Sequence, residues 1–189
     1  MDNNIDILRF NNRDEWRKWL EANFDKKKAI WFVFPLKNSE EKAISYNDAV
    51  EEALCFGWID SITKKLDENH RIQKFSVRKP NSSYSQPNKE RLRWLLARNL
   101  IHPTFSHSIN QLLNEEFIYP EDILKAIQED KTTWDHFQKF SASYKRIRIA
   151  YIEAARNQPD EFKRRLANFI TKTKKGKIIP GYGGIDKYY

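Results

Sequence analysis

Residues 29–34 read Ala-Ile-Trp-Phe-Val-Phe, six consecutive apolar residues rich in β-formers. So short a run of branched and aromatic side chains is a buried strand. Two further runs are expected beside it. Residues 58–64, Trp-Ile-Asp-Ser-Ile-Thr-Lys, form a plausible strand, Asp67-Glu68-Asn69 marks a turn, and residues 71–77 alternate like a half-exposed strand. The last two runs predict an antiparallel hairpin. On an alternating strand Trp58, Asp60 and Ile62 point one way, and Ile59 and Ser61 the other. The fold class is therefore α+β: a small antiparallel sheet of about three strands packed with helices, followed by a C-terminal all-helical module.

The helices announce themselves by caps and spacing. Asn12 precedes Asp14 and Glu15, and Trp16, Trp19 and Leu20 share a face, so a helix is expected from there to near Asn23. Ser45 with Asp48 opens a second, whose apolar face is Ala49, Val50, Ala53 and Leu54. A polar loop from Pro80 to Pro87, including Asn81, leads into a helix with Leu92, Leu95 and Leu96 on one face. Further helices are predicted over residues 103–113 and from Pro120, which stands near N1 with acids behind it. Ser141 or Ser143 caps another, with Tyr144, Ile147, Tyr151 and Ala154 at helical spacing. The last starts at Pro159, buries Phe162, Leu166, Phe169 and Ile170, and ends in lysines that suit its dipole. These elements divide the chain into an α+β domain, 1–114, a helical module, 115–175, and a flexible tail, 176–189, ordered only if it docks.

With 189 residues, 40% hydrophobic and 14% aromatic, the chain buries a core without help from a metal or disulfides. A single cysteine, Cys55, forms no intrachain disulfide and fits a reducing compartment. The N-terminal residues carry no basic and apolar leader pattern, and no apolar run approaches a bilayer's thickness, so the expected location is the cytoplasm. The formal charge of +8 is uneven: residues 1–80 carry a net +1 and residues 81–189 a net +7, mostly between Lys139 and Lys177. Lys145, Arg146, Arg148, Arg156, Lys163, Arg164 and Arg165 are the expected basic surface. Such a surface suits an anionic protein, a membrane surface or a nucleic acid, or is simply solvated.

Several chemistries lack their signatures. The four histidines, His70, His102, His107 and His136, show no metal-ligand spacing, and no cysteine cluster accompanies them. There is no Gly-rich phosphate loop followed by a helix, and no Gly-x-Ser-x-Gly elbow. Cys55 falls at a helix C-terminus, where the dipole disfavours a thiolate, and reads as core. No metal, cofactor or catalytic set is expected.

One neighbourhood invites attention. Gly57 permits a backbone angle that other residues resist, or a close backbone approach. Trp58 and Asp60 follow it, and Arg78, Tyr84, Ser85, Asn88 and Arg91 lie in the loop and helix start after the hairpin. These seven form a candidate pocket for a small ligand or anion near a helix N-terminus. The alternative is structural: Asp60 pairs with Arg78, Ser85 caps the helix, and Trp58 is core.

The run 53–61, Ala-Leu-Cys-Phe-Gly-Trp-Ile-Asp-Ser, resembles the YdeI/OmpD-associated proteins. So do residues 75–80, Phe-Ser-Val-Arg-Lys-Pro, with Ser82, Ser85, Asn88 and Arg91 after them, the opening Glu15 to Leu20, and the helical stretch from Ser141 through Arg165. The resemblance spans residues 8 to 175. Val77 stands where the family usually has proline, and Tyr84 where it has tryptophan. The resemblance implies a bacteriocin-protection or porin-associated protein and supplies no catalytic residues. It identifies the module at 115–175 with that family's small helical domain.

Three functional expectations follow. The first is a non-catalytic stress or bacteriocin-protection protein that binds an anionic partner or small ligand. The second is a nucleic-acid-binding protein using the basic helices. The third is an enzyme with a pocket around Asp60, in which Arg78 or Arg91 holds an anionic substrate.

Overall fold

The computed structural model describes residues 5–36, 41–80 and 82–189. Residues 1–4, read above for a leader pattern, and Asn81 of the polar loop lie outside the described residues. By its contacts the chain divides into two units, Met1–Ser83 with Leu92–Leu112, and Tyr84–Arg91 with Leu113–Tyr189.

The first unit is built on β1 (Ile7–Leu8), α1 (Arg13–Asn23), β2 (Ala29–Pro35), α2 (Tyr46–Cys55), β3 (Trp58–Lys65) and β4 (His70–Val77). Strand order is β1-β2-β4-β3, with β4 antiparallel to both its neighbours and β1 parallel to β2. The antiparallel strands of the sequence reading are β2, β3 and β4. The two-residue β1 extends them to a mixed sheet of four, joined through α1 as a parallel pair must be. Asn12 caps α1 by accepting from the Glu15 N–H, and Ser45 caps α2 by accepting from Asp48.

A β-bulge corrects the expected facing of β3. Asp60 stands opposite Phe75 and Thr63 opposite Gln73, so one extra β3 residue intervenes. Ile62 therefore does not continue the Trp58–Asp60 face; it is exposed, and Thr63 takes its place as the hydrogen-bond partner of buried Gln73.

Aromatic burial holds this unit together. Trp16, Phe32, Trp58 and Phe75 are fully buried, and Trp16 packs edge-on against the other three rings at centroid distances of 5.2–6.4 Å. Each buried indole N–H has an acceptor: Trp16 donates to the Ala49 carbonyl at 3.0 Å, Trp58 to that of Phe24 at 3.1 Å. A second layer of polar packing is less expected. Glu51 and Glu52 of α2 are buried, held by Arg13 and Arg17 of α1; Arg13 lies 2.7 Å from Glu51 and Arg17 2.8 Å from Glu52. Of the six tryptophans, Trp134 alone belongs to the second unit.

Two helices follow the sheet, α3 (Gln86–Leu96) and α4 (Pro103–Asn114), and the division of contacts falls within α3, between Arg91 and Leu92. The second unit continues with α5 (Glu121–Gln128), α6 (Lys131–Lys139), α7 (Ala142–Glu153), α8 (Pro159–Lys174) and a 3-10 turn at Ile185–Tyr188. Its core is Ile123, Ile127, Phe137, Tyr144, Ile149, Ile152 and Phe169. Trp134 stacks on Phe137 at its edge. Pro120 is the N-cap of α5 rather than its first helical residue, and α6 is an additional helix, capped by Asp130 through the Thr133 N–H. Ser141 caps α7. The tail docks within this unit: Ile185 and Tyr188 are buried, and the Ile179 N–H donates to the Tyr144 hydroxyl at 3.0 Å.

Candidate functional site

The signature stretch of the α+β unit is mostly internal. Helix α2 ends at Cys55, and Gly57 turns the chain into β3 with φ +70. A Cβ at residue 57 would sit 2.6 Å from the Phe105 ring, so glycine is needed twice over, for its backbone angle and for the close approach. The Cys55 thiol is buried, which pushes its pKa up to about 12; Glu52 acts the same way, and Arg17 and Arg13 oppose it. A thiol so protonated is a poor nucleophile.

Trp58 is core. Asp60 accepts from the Tyr46 hydroxyl at 2.6 Å and from the Gln73 amide at 3.4 Å. Arg78 serves the loop after β4, donating to the Ser82 carbonyl and hydroxyl and to the Ser83 carbonyl at 2.9–3.0 Å. Among the described residues Asp60 and Arg78 thus have different partners. No three histidine, cysteine or carboxylate side chains gather as metal ligands among the described residues.

The remaining four residues of the sequence-level pocket belong to the helical unit. Arg91 is buried; it donates to Asn88 at 3.0 Å and to the Gly183 carbonyl at 3.1 Å, and lies over the Tyr188 ring. Asn88 and Arg91 therefore fasten the tail. Tyr84 is half-buried, and exposed Ser85 borders a cleft.

That cleft, within the helical unit, has a volume of about 660 Å³. Ile147, Ile152, Phe169, Ile179, Pro180 and Ile185 give it an apolar wall drawn from α7, α8 and the tail. Tyr151, Arg165 and Asn168 stand at its rim with Tyr182, whose side chain is 95% exposed. One wall residue is a cation. Arg148 points its Nη2 at the Ile179 and Pro180 carbonyls and the Tyr189 hydroxyl, while its Nε is buried without an acceptor. No carboxylate lies within ion-pair distance of Arg148 among the described residues. Arg148, expected on the basic surface, stands in the wall of this cleft, which no local pattern in the sequence around it announces. The signal lay in the tail, where Ile178, Ile179, Tyr182, Tyr188 and Tyr189 are more apolar and aromatic than a solvated segment allows.

The rest of the expected basic surface is largely engaged with its own unit. Arg146 pairs with buried Glu90, Arg156 with Asp122 and Glu153, and Arg164 and Arg165 with Glu161. The hydrogen bonds from Arg164 and Arg165 hold the Glu161 carboxyl down at about 2. Arg165 also lies 3.9 Å over the Tyr151 ring, and Lys145 lies over Phe137. Lys163 is exposed with no ion pair among the described residues.

No helix among the described residues is long and apolar enough to cross a membrane. These features define the class: a mixed four-stranded sheet packed with helices, then a helical stretch with an apolar cleft. The chain belongs to the family described as a domain of unknown function (DUF8412), which matches residues 8–108, and a domain described as "Bacteriocin-protection, YdeI or OmpD-Associated" is found over residues 116–176. The likeness noted at Ser141 through Arg165 falls inside the second match, and the Cys-Phe-Gly-Trp-Ile-Asp run inside the first. Neither the curated proteins nor the solved structures return a match to the chain.

Proposed function

We propose that this is a non-catalytic protein of the bacteriocin-protection type, and that it acts by binding a small ligand with an apolar body and an anionic end in the cleft of its helical unit. One observation carries the reading. The cleft is of ligand size and apolar, and the guanidinium in its wall lacks a carboxylate partner among the described residues. A cation held in apolar surroundings is costly unless countered. Carbonyl and hydroxyl dipoles supply part of that counterweight; a ligand carboxylate would supply a full charge. The description of the matched domain supports the bacteriocin-protection part.

Two rival readings have less behind them. A nucleic-acid surface needs guanidiniums turned outward to phosphates, whereas Arg146, Arg156, Arg164 and Arg165 engage carboxylates of their own unit. Among the described residues an enzyme around Asp60 has the Tyr46 and Gln73 contacts to draw on.

Calorimetric titration with decanoate, decanol and decylammonium tests the proposal. Decanoate should bind with one-to-one stoichiometry and decylammonium at least tenfold more weakly. Ala150→Phe, which fills the wall, should abolish decanoate binding with an unchanged thermal melt. Equal affinity for the anion and the cation, or full binding by the filled variant, would refute it.

A further inference from the structure

A separate cleft, of about 450 Å³, lies in the α+β unit at one end of its sheet. Its construction follows from the strand pairing. The chain leaves α1 in a tight turn, with the Lys26 and Lys27 N–H groups both donating to the Asn23 carbonyl. This delivers Lys26, Lys27 and Lys28 in succession to the start of β2. Ala29 stands opposite Ser76, so the end of β4 meets the lysine run, and the Val77 N–H donates to the Lys28 carbonyl at 3.0 Å. The parallel pairing of β1 with β2 sets Asp6 on the other side, where its carbonyl accepts from the Trp31 N–H at 2.8 Å.

Lys26, Lys27, Lys28, Lys74 and Lys79 consequently line one cleft, in which Asp6 is the one carboxylate among the described residues. Several of these lysines have partners within the protein, Lys74 among them. Lys27 pairs with Asp6 at 2.7 Å, and Lys26 donates to the Ala22 carbonyl at the end of α1, a favourable place for a cation. Lysines in this lining nevertheless outnumber carboxylates among the described residues. A cleft lined by one sign of charge concentrates its field and draws counter-ions.

We propose that this cleft binds an oligophosphate, a small free anion with several consecutive phosphate groups. Lysine ammonium groups are mobile point charges and lack the planar fork that grips one carboxylate in two places. Several of them around one concavity match negative charge spread over neighbouring phosphorus centres. Phosphates of a nucleic-acid backbone share that chemistry, but single strands are held largely by stacking on aromatic rings. No aromatic side chain among the described residues lines this cleft, which favours the free anion. Ser76 adds a hydroxyl at the wall.

The test uses the full chain, inorganic tripolyphosphate as probe, and orthophosphate and a single-stranded oligothymidylate as comparisons. Tripolyphosphate should bind saturably, at least tenfold tighter than orthophosphate, and weaken steeply with added salt. Amide resonances of residues 27–29 and 76–79 should move in the wild-type titration. Lys28→Glu with Lys79→Glu should cost at least tenfold in affinity, whereas Lys163→Glu with Lys172→Glu, in the helical unit, should cost less than twofold. Should the first double variant fail to fold, Lys28→Gln with Lys79→Gln and the wild-type amide shifts decide. The proposal falls if tripolyphosphate binds no better than orthophosphate, if both charge-reversed variants lose affinity equally, if the moving amides lie elsewhere, or if the oligothymidylate binds more tightly than tripolyphosphate.

Discussion

Arg146 grips Glu90 with two donors, its Nε and Nη2 each 2.7 Å from a separate carboxylate oxygen. Glu90 is buried and also accepts from Gln86 at 2.7 Å. A carboxylate so enclosed is sustained by its partner, and removing one half strands the other. Glu90→Gln or Arg146→Met should each cost about 3–5 kcal/mol in urea unfolding. The double variant Glu90→Leu with Arg146→Leu should cost less than the sum of its single changes, because it leaves no charge unpaired. An additive cycle would show that the pair is idle.

The turn at Gly57 makes a sharper demand. Its φ of +70 costs a side-chain-bearing residue about 1–2 kcal/mol, and an added methyl would press on the Phe105 ring. Gly57→Ala should therefore destabilise the protein by about 2 kcal/mol or more, measured by denaturant midpoint. In a Phe105→Leu background the same change should cost less. Equal costs in both backgrounds would mean that the ring simply yields.

Cys55 predicts an alkaline effect. Burial raises its pKa from the ordinary 9.0 to about 12, so the folded state holds a proton that the unfolded chain releases. The stabilisation is complete below pH 9 and declines as pH rises towards 12, with a limiting slope of about 1.4 kcal/mol per pH unit. Tyrosines and lysines titrate in the same window, so the measurable quantity is the difference between the wild type and Cys55→Ser. That difference in unfolding free energy should shrink steadily between pH 9 and 11. The thiol should also resist iodoacetamide until the protein unfolds.

Asp130 predicts the acid counterpart. Hydrogen bonds from Lys174 and from Thr133 lower its carboxyl to about 2. Its contribution is present above the ordinary value of 3.8 and is lost as pH falls through 2. Asp130→Asn keeps a capping side chain for α6 but loses the charge partner of Lys174. Its helical circular dichroism should match the wild type at pH 2 and show a lower melting temperature than the wild type at pH 6.

What could be read from the chain alone was whatever is decided within a few residues. Asn12, Ser45 and Ser141 cap their helices through an N–H three positions on, a relation visible in sequence. The hairpin of β3 and β4 was legible for the same reason. The two residues of β1 have no period to detect, and their partners stand 24 positions away, Ile7 beside Trp31. Helix α6 was overlooked although Asp130 and Thr133 carry a capping spacing, because its apolar face is little more than Trp134 and Phe137. The β3 bulge breaks an alternation that sequence alone presents as intact. At the cleft the difficulty is one of distance: its wall joins residue 85 to residues 147–154, 165–169 and 179–189. Charge was the least legible property, since a count of arginines cannot tell Arg146, committed to a glutamate 56 positions away, from one facing water.

The lopsided placing of the indoles offers an optical handle. With Trp16, Trp19, Trp31, Trp58 and Trp94 in the sheet-bearing unit and Trp134 in the other, a Trp134→Phe chain emits, on excitation at the red edge, from one unit only. Far-ultraviolet dichroism, weighted towards the helices, would follow both. Melting curves that coincide by the two signals would reveal a single cooperative transition, and curves that part company would time the loss of each unit separately.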